Sequence, residues 1–276
     1  MIIDRMALAD LGNPVAIARA VLKQIPEAVP TPVEAIATAV GITEIGELQS
    51  NGFEGALITD QDKMDGVILC KRRTMPERRR FTISHELGHY LNPWHVPTGV
   101  GFECTSAQML TSDTAALTGR AKWEVEANSF ASELLMPSRH FDSDARRLRN
   151  LEIEGIQKLA QKYQVSKLAC ARRIVALGYE QCAIVLSKGH VIESIYRAKE
   201  FPFIPLKVGM ELPRKSLSRT FSGSAGALSG LEETESSYWS DRHNAQTKYY
   251  EQVLVQSSGW RLTLLIHESE DNVDEG

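Results

Sequence analysis

The chain has 276 residues, enough for one large domain or for a domain with a smaller appendage. Its 43% hydrophobic and 24% charged residues are the balance of an ordinary globular protein. A formal net charge of -4 excludes a global attraction to nucleic acid or to an anionic membrane.

The N-terminal stretch MIIDRMALADLGNPVAIARAVL lacks the basic start, unbroken apolar core and cleavage site of a signal peptide. No apolar run nears the roughly 18 residues of a membrane span. Cys70, Cys104, Cys170 and Cys182 are scattered with no CxxC pair, which speaks against a zinc ribbon or a disulfide framework. The expectation is a reduced, cytoplasmic, membrane-free protein.

The first fifty residues read as helices. NPVAIARAVLKQI has apolar positions at helical spacing, and TPVEAIATAVGI opens with threonine before proline and stops at Gly41. FEGALITDQDKMDGVILCKR reads as a hairpin with GVILC as its second strand. The stretch 71–80 is basic, and FTISHELGHY follows. Residues 92–119 read as an irregular loop, of a length that points to either function or partial disorder. AKWEVEANSFASELLMP is a strong helix with Trp123, Ala127, Phe130 and Leu134 on one face, ended by Pro137. Residues 152–177 read as two helices around YQVS. QCAIVLSKGHVIESIY and QVLVQSSGWRLTLLIH then read as strand pairs joined by glycine turns, with SGSAGALSG (222–230) as a flexible loop between them. HESEDNVDEG reads as a frayed acidic tail. Together these give an α+β fold, residues 1–178 forming one domain and 179–276 a small antiparallel β-rich region.

HELGH places His85 and His89 four apart, on one face of a helix, so both imidazoles can point at a single ion, with zinc the natural guess. Glu86 lies about 100° round from His85, a poor third ligand but well placed to take a proton from a water held there. Gly88, inside the helix, costs about 1 kcal/mol relative to alanine and so signals close approach by another backbone. Glu124 and Asn128 are again four apart, on a second helix. Glu124 completes a three-residue ligand set that leaves a fourth position open, and Asn128 can accept a histidine N–H. Glu126, the rival ligand, lies about 200° round from Glu124 and has only Phe130 beneath it.

RRRFTISHELGHYL followed by WEVEANSFASELLMP resembles the ImmA/IrrE family of zinc metallopeptidases, over roughly residues 50–180. The resemblance implies a gluzincin-type fold, Zn2+ held by His85, His89 and Glu124, and Glu86 as the general base. It implies a regulatory endopeptidase that makes a limited cut in a protein partner, such as a helix-turn-helix repressor or an antitoxin. Asn128 departs from the aspartate that related gluzincins often carry, so somewhat weaker metal binding is expected. His95, His140 and Tyr90 are all candidates to stabilise the developing oxyanion.

Other signals are weaker. GVILC is read as a sheet-edge strand that pairs with extended substrate, a role that proline at Leu69 would abolish. The basic run 71–80 reads as a solvated approach to the helix, since no aromatics interleave with its charges. The helix pair carries Lys167, Arg172 and Arg173 and resembles a helix-turn-helix that could enter a major groove, though scaffold pairs look alike. Cys104, in GFECTSAQM, has two readings: a thiolate latch on the open metal position, or a plain buried cysteine. Two rivals to the regulatory peptidase remain: a non-enzymatic regulator that binds DNA or protein, and the toxin half of a toxin–antitoxin pair.

Overall fold

The computed structural model describes residues 1–49, 52–97, 101–105, 119–148, 150–241 and 247–269. The fold is α+β and divides into two compact units, Met1–Ser143 with Ala160–Ser166, and Asp144–Leu159 with Lys167–Gly276. No helix among the described residues is long and apolar enough to cross a membrane.

In the first unit, α1 (Pro14–Lys23) begins where Asn13 accepts from the Val15 and Ala16 N–H groups, with Pro14 at the first helical position. Helix α2 (Val33–Ala39) starts at Pro32 without a side-chain cap, so Thr31 does not serve that end. Residues Ile42–Leu48, expected to be helical, form β1, because their backbone pairs in parallel with β3 (Gly66–Lys71). That partner lies outside the local window, and strand propensity follows such context. The expected hairpin is β2 (Gly55–Thr59) with β3. A fourth strand, β4 (Gly101–Cys104), lies within the stretch read as irregular, and the sheet order is β1-β3-β2-β4. The GVILC strand is therefore interior, flanked by β1 and β2, and has no free edge for substrate. Gly101 (φ +143) is dictated by crowding, since a Cβ there would sit 1.9 Å from the Leu57 carbonyl oxygen.

Helix α3 (Pro76–Leu91) opens with Pro76 at its first position, and the basic stretch before and within it is anchored rather than merely solvated. Lys71 and Arg78 both pair with the buried Glu54, Arg79 pairs with Glu34, and Arg80 donates to the Thr31 and Gln164 carbonyls. Helix α4 (Arg120–Leu135) buries Ala127, Phe130 and Leu134 and crosses α3 at Gly88. A Cβ on Gly88 would lie 3.0 Å from Ala127 Cα and 3.2 Å from both Ala127 O and Phe130 Cβ. Arg19 on α1 pairs with Glu133 on α4 at 2.9 Å, and Glu133 also accepts the Ser138 N–H at the start of α5 (Ser138–Arg146).

The helix pair of 152–177 is α6 (Ile153–Tyr163) and α7 (Lys167–Leu177), with Gln164 at φ +51 between them. In the second unit α7 packs on β5 (Cys182–Lys188) and β6 (Val191–Arg197), which explains why 167–177 groups with the C-terminal sheet and not with the residues before it. Short helices α8 (Leu217–Thr220) and α9 (Ser236–Trp239) and strand β7 (Glu232–Thr234) precede β8 (Thr247–Val255) and β9 (Trp260–Ser269). The sheet is antiparallel with order β6-β5-β9-β8-β7. Both glycine-turn hairpins of the sequence reading are present, the first turning at Gly189 (φ +58). The 222–230 loop is tied to β8: Gly226 and Ser229 donate to Val255 and Val253, and Val255 donates back to Ala227. Fully buried Glu251 accepts from the Leu217 and Ser218 N–H groups and the Trp239 indole, pinning α8 and α9 to β8. Of the tail, His267–Ser269 belong to β9, and 270–276 lie outside the described residues.

Candidate metal centre

Helical spacing stacks His85 and His89 on one face of α3, and the close α3–α4 crossing brings Glu124 up to them. The two Nε2 atoms are 3.2 Å apart. Glu124 Oε2 lies 3.3 Å from His85 Nε2, and Oε1 lies 3.7 Å from His89 Nε2. All three side chains are buried. Asn128, one turn beyond Glu124, places Oδ1 2.9 Å from His85 Nδ1, so His85 donates there and keeps Nε2 for the cluster. Glu86 is fully buried beside them, and Cys104 on β4 brings Sγ to 3.7 Å from His89 Nε2 and 3.8 Å from Glu86 Oε2. Ligand-type atoms of His85, His89, Cys104 and Glu124 all lie within 4.8 Å of one another.

This set fits a cation. Both Glu124 oxygens and Glu86 Oε1 are buried without a hydrogen-bond partner, an arrangement that costs several kcal/mol unless a positive charge fills the space. Ligands at zinc distances span tetrahedral edges of about 3.3–3.6 Å, and the separations of 3.2, 3.3 and 3.7 Å follow that scale. Burial pushes Glu86 up to about 7, with Glu124 adding to the rise. Burial acts the same way on Glu124, but His85 and His89 beside it hold its carboxyl well below the usual range. Burial draws His89 down to about 3. For His85, burial is outweighed by Glu124, Glu86 and Asn128, and its pKa rises.

Residues 43–175 match the family model described as Peptidase M78, IrrE N-terminal-like domain. This segment is an IrrE-like domain. It contains all of the cluster, whereas the C-terminal sheet lies outside the match. No curated protein matches the chain. Among solved structures, a Mycobacterium tuberculosis transcriptional regulator superposes with a TM-score of 0.55 at 13% identity. The match covers 95% of this chain and 73% of that one, and at this identity it is a likeness of fold.

Several residues of the IrrE-like domain that support the centre were not assigned from sequence. His95 Nδ1 lies 3.0 Å from His89 Nδ1, and its Nε2 lies 2.8 Å from Glu126 Oε2. With His89 Nε2 facing the cluster, His89 donates to His95, and His95 to Glu126, so Glu126 orients the His89 ring at one remove. Burial draws His95 down to about 4 despite Glu126. Phe102 stacks on the His89 ring at 4.6 Å and Trp123 on the His95 ring at 5.4 Å. Buried Lys63 donates to the His89 and Asn92 carbonyls, neutralising the C-terminal end of α3. Only the position of His95 just past the motif hinted at any of this.

The other oxyanion candidates face elsewhere. The Tyr90 hydroxyl accepts from Arg5 beside Gly41, and His140 pairs with Glu27 at 2.8 Å. Of the helix-pair cations, Lys167 is exposed, while Arg172 is half-buried over the Tyr196 ring.

Proposed function

We infer that the chain is a zinc-dependent regulatory endopeptidase that makes a limited cut in a protein partner, a helix-turn-helix repressor or an antitoxin. His85, His89 and Glu124 hold the cation, with Asn128 orienting His85. The carrying observation is the buried pocket in which two imidazoles and a carboxylate converge while Glu124 and Glu86 keep oxygens without partners. When bound, zinc supplies a Lewis acid that polarises a peptide carbonyl and acidifies a water.

Glu86 handles the proton. It is poised near neutrality by burial, which suits a group that takes a proton from the attacking water and returns it to the leaving nitrogen. An extended substrate can pair with an edge strand, and β4, which carries Cys104 beside the cluster, pairs among the described residues only with β2. The IrrE-like match supports a peptide substrate. The regulatory role rests on the family resemblance, and the structure with the same fold is itself a transcriptional regulator.

The test is co-expression with the helix-turn-helix regulator encoded nearest its gene. Wild type should remove the intact regulator, whereas Glu86→Gln should leave it uncut while binding one metal ion per chain. Equal removal by both proteins refutes the peptidase reading and favours a non-enzymatic regulator.

A further inference from the structure

One metal-ligating atom at the centre has no part in hydrolysis, the sulfur of Cys104. The residue is fully buried on β4, and Sγ sits as close to His89 Nε2 (3.7 Å) as Glu124 Oε1 does (3.7 Å). The register of β4 holds it there: Cys104 pairs with Gly55 on β2, and its carbonyl accepts the Glu54 N–H. An independent feature marks the space as built for an occupant, since both oxygens of Glu124, 3.3 and 3.7 Å from the two imidazole Nε2 atoms, are buried without a hydrogen-bond partner. Charge balances too. Two neutral imidazoles, one carboxylate and one thiolate together offset a divalent cation.

We propose that Cys104 is the fourth protein ligand, so that the loaded protein rests in a closed, four-coordinate state. Three protein ligands with an open position mark a catalytic site, and four mark a closed one. Cys104 therefore acts as a latch on the peptidase centre, a role that rests on the metal reading above. As the sulfur–metal bond forms, the thiol proton passes to solvent. As it breaks, the sulfur regains a proton and the fourth position opens. Glu86, 3.8 Å from Sγ, stands beside that position.

X-ray absorption at the zinc edge of the loaded full chain decides the ligand set. The expected result is one sulfur neighbour at about 2.3 Å with three nitrogen or oxygen neighbours at about 2.0–2.1 Å. Cys104→Ala should lose the sulfur neighbour, keep one zinc per chain, and clear the co-expressed regulator faster. A resting open fraction of about a tenth or less corresponds to a rise of about tenfold or more. A wild-type spectrum with only light neighbours, a sulfur signal that survives Cys104→Ala, or equal clearance by the two proteins overturns the latch. The first of these leaves the peptidase reading standing, while absence of bound zinc removes both. If Cys104→Ala does not fold, the wild-type spectrum alone decides the ligand.

Discussion

Replacing Gly88 with alanine probes the contact that assembles the centre. In an isolated helix the change is favourable by about 1 kcal/mol. Here the new methyl would sit 3.0 Å from Ala127 Cα and 3.2 Å from Ala127 O and Phe130 Cβ. Backbone and Cβ atoms cannot swing aside, so α3 and α4 must part by a few tenths of an ångström. Overpacking of this kind costs about 1–3 kcal/mol, giving a net loss of up to about 2 kcal/mol after the propensity gain. The same separation draws Glu124 from His85 and His89, and strain of that size lowers metal affinity by about tenfold. Urea unfolding of the metal-free protein reads the first effect, and competition with a chromogenic chelator reads the second. Gly155→Ala is the control, because a Cβ there meets only the flexible end of the Leu148 side chain, at 3.0 Å. That variant should be neutral or slightly stabilised. If Gly88→Ala proved about 1 kcal/mol more stable with unchanged metal affinity, the close crossing described above would be wrong.

Three further outcomes follow from particular atoms. Glu86 is held protonated in the metal-free fold up to about pH 7, whereas in an unfolded chain it ionises near its ordinary value. The folded state thus binds more protons between those limits, and the stability of wild type relative to Glu86→Gln should fall as pH rises through about 7. A difference that is flat with pH, measured by urea unfolding, would show that Glu86 is already ionised. Asn128→Leu removes the acceptor for His85 Nδ1 and should weaken zinc binding about 10–100-fold; unchanged affinity in chelator competition refutes the orienting role. Glu251→Ala strands the Leu217 and Ser218 N–H groups and the Trp239 indole, at a cost of about 1–3 kcal/mol for each donor left without a partner. Hydrogen exchange should then show β8 and α9 losing protection, with α3 and α4 unchanged.

Local chemistry made part of this protein legible from its residues alone. The four-residue spacing puts His85 and His89 on one face, and Glu124 with Asn128 on another, because helical periodicity is a property of the backbone. The apolar spacing of α1, the glycine turn at 189 and the β2–β3 hairpin are also short-range features. What the residues could not reveal depends on partners distant in the chain. Residues 42–48 become a strand only because β3 is beside them, and that same pairing places GVILC inside the sheet. Glu126 reads as a failed ligand in sequence, and only the fold brings it His95 from the loop after α3. Lys63 has no visible purpose until the end of α3 lies over it. Cys104 had two open readings in sequence, since a cysteine in a loop carries no direction of its own. The pairing of β4 with β2 is what sets its sulfur against His89. Periodicity specifies which side chains share a face, but which faces meet is settled by packing among segments far apart in the chain.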